Sequence, residues 1–348
     1  MFVARNIFLT TDTAPPASSF TGMTFNHCNQ TGRNGPSFST CDTYYTANNN
    51  AEYSALTNFA VSNGYQSFDI PAGTYSVTMD GACGGSTSNT QNSSNGGSGW
   101  NFFQGSGRKH ARGARATFTL TVNSGLTLTM VIGQVGGNSG TGSSRNPGGG
   151  GGTFLTVGTY AQISAGTPTD DLICAVGGGG GYVGDYGGTT NNFDGEGQNN
   201  SNGATTQYNG GTNGNGSQSS STNNSSGGAG YLTNASNGTT NGFGSTTITT
   251  AAFGFRNGAV GARHSSSTNG LTAQGGFGGG GGGSAATSRD EDKGGGGGYS
   301  GGSLSFDSYQ FGGGGGSIIR YNGTGWSVTS GNITRGGGVG LNGQIIFS

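Results

Sequence analysis

Charge is scarce in this chain. Only 8% of its 348 residues are charged, 13 Lys and Arg against 14 Asp and Glu, for a net charge of −1. Proteins that capture nucleic acid neutralise phosphates with many cations, so that class of function is excluded. Lysine occurs only as Lys109 and Lys293. Neither completes the glycine-then-Lys-Ser/Thr order of a phosphate-cradling loop. Prolines number 6 and glycine does not recur at every third position, which rules out a collagen helix. No run approaches 18 apolar residues, so no membrane-spanning helix is expected. The three histidines, His27, His110 and His264, have no Ser/Asp or Cys partner in a triad-like pattern. Neither enzymatic activity nor a cofactor is expected.

Glycine is what the chain has in excess: 80 residues, about 23% against a background near 7%. Interior glycine costs a helix about 1 kcal/mol each relative to alanine, so helical architecture is disfavoured. The glycines cluster in runs at 148–152, 177–181, 278–283, 294–298 and 312–316, with a shorter one at 336–338. A flexible linker would show the same composition. These runs, however, are bracketed by segments with strand chemistry, which linkers lack. Without side chains to bury, such a run can be ordered only by pairing its backbone groups. Extended left-handed helices at about 3.1 Å per residue would point those groups outward in three directions, as rods of about 15 to 19 Å. Gly150, Gly179, Gly280, Gly296 and Gly314 mark the expected scaffold. The intervening Asn/Ser/Thr/Gly excursions, 189–250 and 251–274, read as surface loops.

Period-2 alternation marks the strands. In 116–122 Phe118, Leu120 and Val122 share one face with threonines on the other; 74–79 and 126–132 repeat the scheme. Segments 153–157, 172–176, 317–321 and 344–347 complete the set, placing sandwich strands at about 65–82, 116–133, 153–176 and 317–347. Apolar-in, threonine-out alternation predicts half-buried antiparallel strands and a β-sandwich. Residues 1–24 read as an extended arm, with a single domain over 25–348. The apolar run at 1–10 is short for a secretory leader.

Cys28 and Cys41 flank a turn-rich segment, and a disulfide there would close a loop of about a dozen residues, worth roughly 3 kcal/mol. Cys83 and Cys174 each end a strand just before glycines. They pair if those strands are neighbours, or stay as two small buried thiols. No Cys/His spacing suits zinc, so no metal site is expected. Five basic residues fall within 108–115, including Arg108, Lys109, Arg112 and Arg115. They form either a contact for an acidic partner, glycan or neighbouring subunit, or a solvated loop. The acidic turn at 289–293 reads alike, and Asp194 with Glu196 offers too few ligands for calcium. Tyr182, Tyr186, Tyr208 and Tyr231, with Phe243, Phe253, Phe255, Tyr299 and Tyr309, sit in loops poor in aliphatics. They are either a recognition surface, since Tyr with Ser, Gly and Asn is an efficient contact chemistry, or anchors for their own loops. Sequons such as that at Asn92 are explained by the abundance of Asn, Ser and Thr.

The order of motifs resembles the extracellular glycine-rich domain of the anaplastic lymphoma kinase and leukocyte tyrosine kinase receptors. The residues that carry it run from Phe25-Asn26-His27-Cys28 through 32–37 to Cys41, with Tyr45. They continue with 64–75, Gly81-Ala82-Cys83-Gly84-Gly85, 131–136, 148–154, 172–181 and Gly275-Gly276-Phe277-Gly278 onward. The resemblance implies an all-β chain: a TNF-like antiparallel sandwich fused to a bundle of polyglycine-II helices. Such bundles are also similar to those at phage fibre tips, where loops between rods touch a host surface. The expected role is therefore a non-catalytic structural or recognition protein of an extracellular or virion-surface assembly. Its expected partners are copies of itself, other subunits, and a host-surface glycan or protein. The rival reading is a soluble or truncated receptor-type ectodomain that binds a protein ligand.

Overall fold

The computed structural model describes residues 20–86, 102–105, 108–138, 146–165, 171–182, 195–206, 208–218, 225–236, 248–264, 274–283, 292–305 and 311–348. Two six-stranded sheets dominate. One runs in the order β1 (Met23–Phe25), β16 (Gln344–Phe347), β4 (Gly73–Asp80), β7 (Arg115–Val122), β15 (Trp326–Thr334) and β14 (Asn322–Gly323). The other runs β13 (Ile318–Ile319), β10 (Leu172–Val176), β9 (Thr153–Val157), β8 (Leu126–Val131), β3 (Tyr65–Ile70) and β2 (Thr57–Ser62). Every pairing within the two sheets is antiparallel. Two short ribbons, β5 (Phe102–Gly105) with β6 (Arg108–Ala111) and β11 (Ile248–Thr250) with β12 (Arg263–His264), stand apart.

The alternation read from sequence is the alternation of burial. In β7 Ala116, Phe118, Leu120 and Val122 are buried while the threonines between them are more open. Tyr75, Val77 and Met79 do the same in β4. Those side chains meet Phe25, Phe68, Leu128, Met130, Ile345 and Phe347 in one core, and each large apolar side chain so buried contributes about 1.5–3 kcal/mol. The arm expected to end at residue 24 enters this core. Phe20 packs against Phe68, Tyr75 and Phe347, and β1 pairs with β16. Phe20 and Met23 are thus buried with the core although they precede residue 25.

Three α-helices are present among the described residues, α1 (Phe38–Asn48), α2 (Asn50–Ser54) and α3 (Tyr160–Ser164). The Ser37 hydroxyl caps α1 by accepting from the Thr40 amide, the usual satisfaction of an orphan N-terminal donor. Cys41 then bonds to Cys28, and the Tyr45 hydroxyl donates to Gln66 Oε1 at 2.7 Å. Tyr45 thus ties this helix to β3, and the disulfide ties it to Cys28, just after β1.

The glycine runs continue the strands: β4 leads into 81–85, β8 into 133–137 and β10 into 177–181, while 148–152 feeds β9. They are buried and cross-bonded main chain to main chain, and the bonding repeats every three residues. The amides of Gly148 and Gly151 donate to the carbonyls of Gly137 and Gln134, those of Gly149 and Gly152 to Gly281 and Gly278, and that of Gly150 to Gly179. In the next run Gly294 and Gly297 donate to Pro147 and Gly150, Gly295 and Gly298 to Ser226 and Ala229, and Gly296 and Tyr299 to Gly313 and Gly316. A β-strand offers its groups to two sides; here three neighbours are served in rotation. A Cβ built on Gly150, Gly179, Gly280, Gly296 or Gly314 would come within 3.0 Å of a neighbouring backbone carbonyl in every case.

Two expectations need correction. The longest run, 278–283, is not one straight rod: Phe277–Gly279 form a turn, with φ of +100° at Gly278 and +82° at Gly279, and the Gly280 amide returns to the Gly276 carbonyl. Only glycine adopts such angles without strain. The excursions at 189–274 are also not simply surface loops. Gly195–Gln198 and the stretch from Ser225 to Tyr231 are buried and bonded to the runs, the Gly180 amide reaching Gly195 and the Ala229 amide reaching Gly279. Backbone pairing asks only for small side chains, so Asn/Ser/Gly-rich segments join the lattice as readily as pure glycine.

Candidate functional site

A groove of about 600 Å³ opens where three stretches of the 189–250 excursion meet, with walls from Thr205 and 209–212, 215–218 and 233–236. Its geometry follows from local turn chemistry. Asn213 and Gly214 both have positive φ, 55° and 84°, and the Asn215 amide closes back on the Thr212 carbonyl at 3.0 Å. Asn-Gly is the pair that best tolerates two consecutive left-handed residues, so this dipeptide sets one wall. The Gly210 amide donates to Thr205 Oγ1 at 3.1 Å and the Gly216 amide to Thr233 Oγ1 at 2.9 Å. The Gly211 and Ser217 amides bond to Gly301 and Gly228, which ties the walls to the glycine lattice behind them.

The described lining is entirely Asn, Gln, Ser, Thr and Gly, with no ionisable and no aromatic side chain. Such a surface can hydrogen-bond a neutral polar ligand; the described lining holds no His, Cys, Lys, Asp or Glu side chain. Among the described residues no cluster of three His, Cys, Asp or Glu is placed to hold a metal ion. No described helix is long and apolar enough to cross a membrane.

The residues singled out from sequence fall elsewhere. Tyr182 is buried and stacked on Phe311 with ring centres 4.7 Å apart. Tyr231 is buried against Phe255 at 5.1 Å, with the Arg256 guanidinium 5.2 Å over its ring, and burial pushes its pKa up. Both are anchors for their loops and not part of a recognition surface, since each ring is spent on an internal stack. Tyr208 is half-buried, next in sequence to the groove residue Asn209. Tyr186 lies outside the described residues, as do Phe243, Tyr309, Asn92, Asp194 and 289–291.

The basic cluster at 108–115 forms β6 and the start of β7, and its inner members are structural. His110 is buried with Nδ1 2.8 Å from the Gly84 carbonyl. Arg115 grips Asp80 through Nε at 2.6 Å and Nη2 at 2.8 Å, and Gln344 donates to the same carboxylate at 2.8 Å. That bidentate bond raises the Arg115 pKa. Arg115 is thus a partner of a buried carboxylate and not a surface contact. Arg112 is half-buried and its carbonyl accepts from the Gly197 amide; the side chains of Arg108 and Lys109 lie outside the described residues.

Cys28 and Cys41 form a disulfide. Cys83 and Cys174 do not pair: both are free and buried. Cys174 packs in the sandwich core, whereas Cys83 lies in a glycine run and its thiol donates to the Gly340 carbonyl at 3.2 Å. Burial pushes the Cys83 pKa up to about 12 and raises that of Cys174 further. No protein-family model matches this chain, and no curated protein does.

Proposed function

We propose that this chain is a non-catalytic structural and recognition protein of an extracellular or virion-surface assembly, in which a rigid polyglycine bundle displays Asn/Ser/Thr-rich loops for attachment. The observation that carries this reading is the groove at 205–236, a neutral polar surface whose walls are bonded into the glycine lattice. Ordered polar loops of this kind present hydrogen-bonding groups at little entropic cost on binding. The three-residue repeat of amide bonding supports reading the runs as polyglycine-II helices. The two antiparallel sheets beside them support the likeness to a TNF-like glycine-rich domain. The Cys28–Cys41 disulfide is compatible with oxidising, extracellular surroundings. The partners are copies of this chain or other subunits, together with a host-surface glycan or protein.

The test combines mass and attachment. Light scattering of the purified protein is expected to give a multiple of 34.3 kDa. Fluorescently labelled protein is expected to decorate at least one member of a panel of bacterial and eukaryotic cells. A strict monomer that decorates none of them overturns the proposal.

A further inference from the structure

The geometry points to a ligand class for the groove at 205–236: an uncharged oligosaccharide, held by side-chain hydrogen bonds. This inference rests on the recognition reading above and narrows it. With no ionisable side chain in the described lining, nothing selects an anion or a cation. With no aliphatic or aromatic side chain there, an apolar ligand would have nothing to bury against. A ligand rich in hydroxyls, with C–H faces small enough to meet threonine methyls, is what remains.

Polypeptide is the other neutral polar candidate, and the backbone argues against it. Strand addition needs a row of unspent main-chain groups. Here the amides of Gly210, Gly211, Asn215, Gly216, Ser217 and Ser236 are all spent inside the protein. Spent amides thus interrupt each of these segments, and side chains supply further groups. Thr205 and Thr233 use their Oγ1 atoms as acceptors for backbone amides, which leaves each hydroxyl proton to donate. Asn234 Oδ1 accepts from the Gly254 amide and from Asn257 Nδ2, each at 2.9 Å, which fixes its amide and leaves Nδ2 as a donor. Asn209 and Gln218 are exposed on the lining and supply both donors and acceptors. The result is a set of donors for ring and hydroxyl oxygens, of which those of Thr205, Thr233 and Asn234 are held by bonds to the backbone. Without an aromatic platform each groove binds weakly, with a Kd on the order of 1 mM, and repeated copies in an assembly raise the avidity.

Saturation-transfer NMR on the full chain tests this with four probes: an uncharged hexose trisaccharide, an uncharged N-acetylhexosamine trisaccharide, a sialylated trisaccharide and an extended Ser/Asn-rich peptide. Transfer is expected to at least one uncharged sugar. It should weaken at least about tenfold in the double variant Asn209→Ala/Gln218→Ala, whose unfolding midpoint should match the parent. A second variant, Asn234→Asp, keeps the oxygen that accepts from Gly254 and removes the donor; it too should weaken sugar binding. Transfer to no uncharged sugar, transfer only to the peptide or the sialylated probe, or transfer undiminished in the double variant would overturn the assignment. Cell decoration that persists without sugar binding removes the carbohydrate class alone. Sugar binding by a monomer that decorates no cell removes the assembly reading alone.

Discussion

Gly296 and Gly178 face each other so closely that a Cβ on Gly296 would overlap the Gly178 carbonyl. The same glycine donates its amide to Gly313 and accepts from Gly302. Its neighbours are main chain on every side, so no flexible side chain can yield.

Gly296→Ala is therefore expected to cost more than the 1–3 kcal/mol usual for overpacking, and Gly280→Val in the neighbouring run more again. Gly125→Ala is the matched control. Its nearest neighbour to a new Cβ is the Ile70 carbonyl at 3.8 Å, and its change should stay within about 0.5 kcal/mol. Thermal and denaturant unfolding of the three variants measures the difference. A Gly296→Ala protein as stable as the parent would contradict close backbone packing.

Alternation and glycine clustering made the two sheets and the main glycine runs legible, because β7 spells its two faces in Thr and apolar residues and the runs announce themselves. Helix α1 was not legible. Its sequence, Phe38 to Asn48, has no apolar stripe, and what holds it is a cap, a disulfide and the Tyr45 bond to Gln66, none of which shows as periodicity. The buried pieces of the excursions were hidden for a different reason: segments such as Gly195–Gln198 bind through peptide groups, which all residues share. The groove did leave one signal, the Asn213-Gly214 turn. The tyrosines left two readings open because Tyr suits a stacked interior as well as a contact surface, and Tyr182 and Tyr231 take the first.

The disulfide should matter more to stability than to the glycine lattice. Cys28→Ser/Cys41→Ser removes a crosslink between residues 13 apart and is expected to cost roughly 3 kcal/mol. The loss should centre on α1, read as a fall in helical circular dichroism and in unfolding midpoint. An unchanged midpoint under reducing conditions would show that Tyr45 and the cap suffice.

Cys83 and Cys174 should be chemically silent in the native protein. The thiolate is the reactive form, and burial keeps both thiols protonated, Cys83 up to about 12. A thiol reagent at pH 8 is expected to label neither in native protein and both after unfolding, counted by mass spectrometry. Rapid native labelling of Cys83 would mean that the run carrying it opens.

His27 gives a pH dependence. Burial holds its pKa below the ordinary 6.5, and its Nδ1 is buried without a hydrogen-bond partner among the described residues. The unfolded chain then takes up this proton at a higher pH than the folded one, so stability is full above about pH 6.5 and declines as the solution is acidified through that value. Denaturant midpoints between pH 7.5 and 5 should fall, and His27→Gln should flatten that part of the profile. An identical slope in the variant would assign the effect to other groups.

An interior fastened by peptide groups has no side-chain code for its outer segments to match. Exposed residues hung between the glycine runs are thus released from the constraint that binds most proteins, where a new surface must still agree with an old core. The outermost stretches can be rewritten alone, while the glycines beneath keep the same few ångströms of clearance.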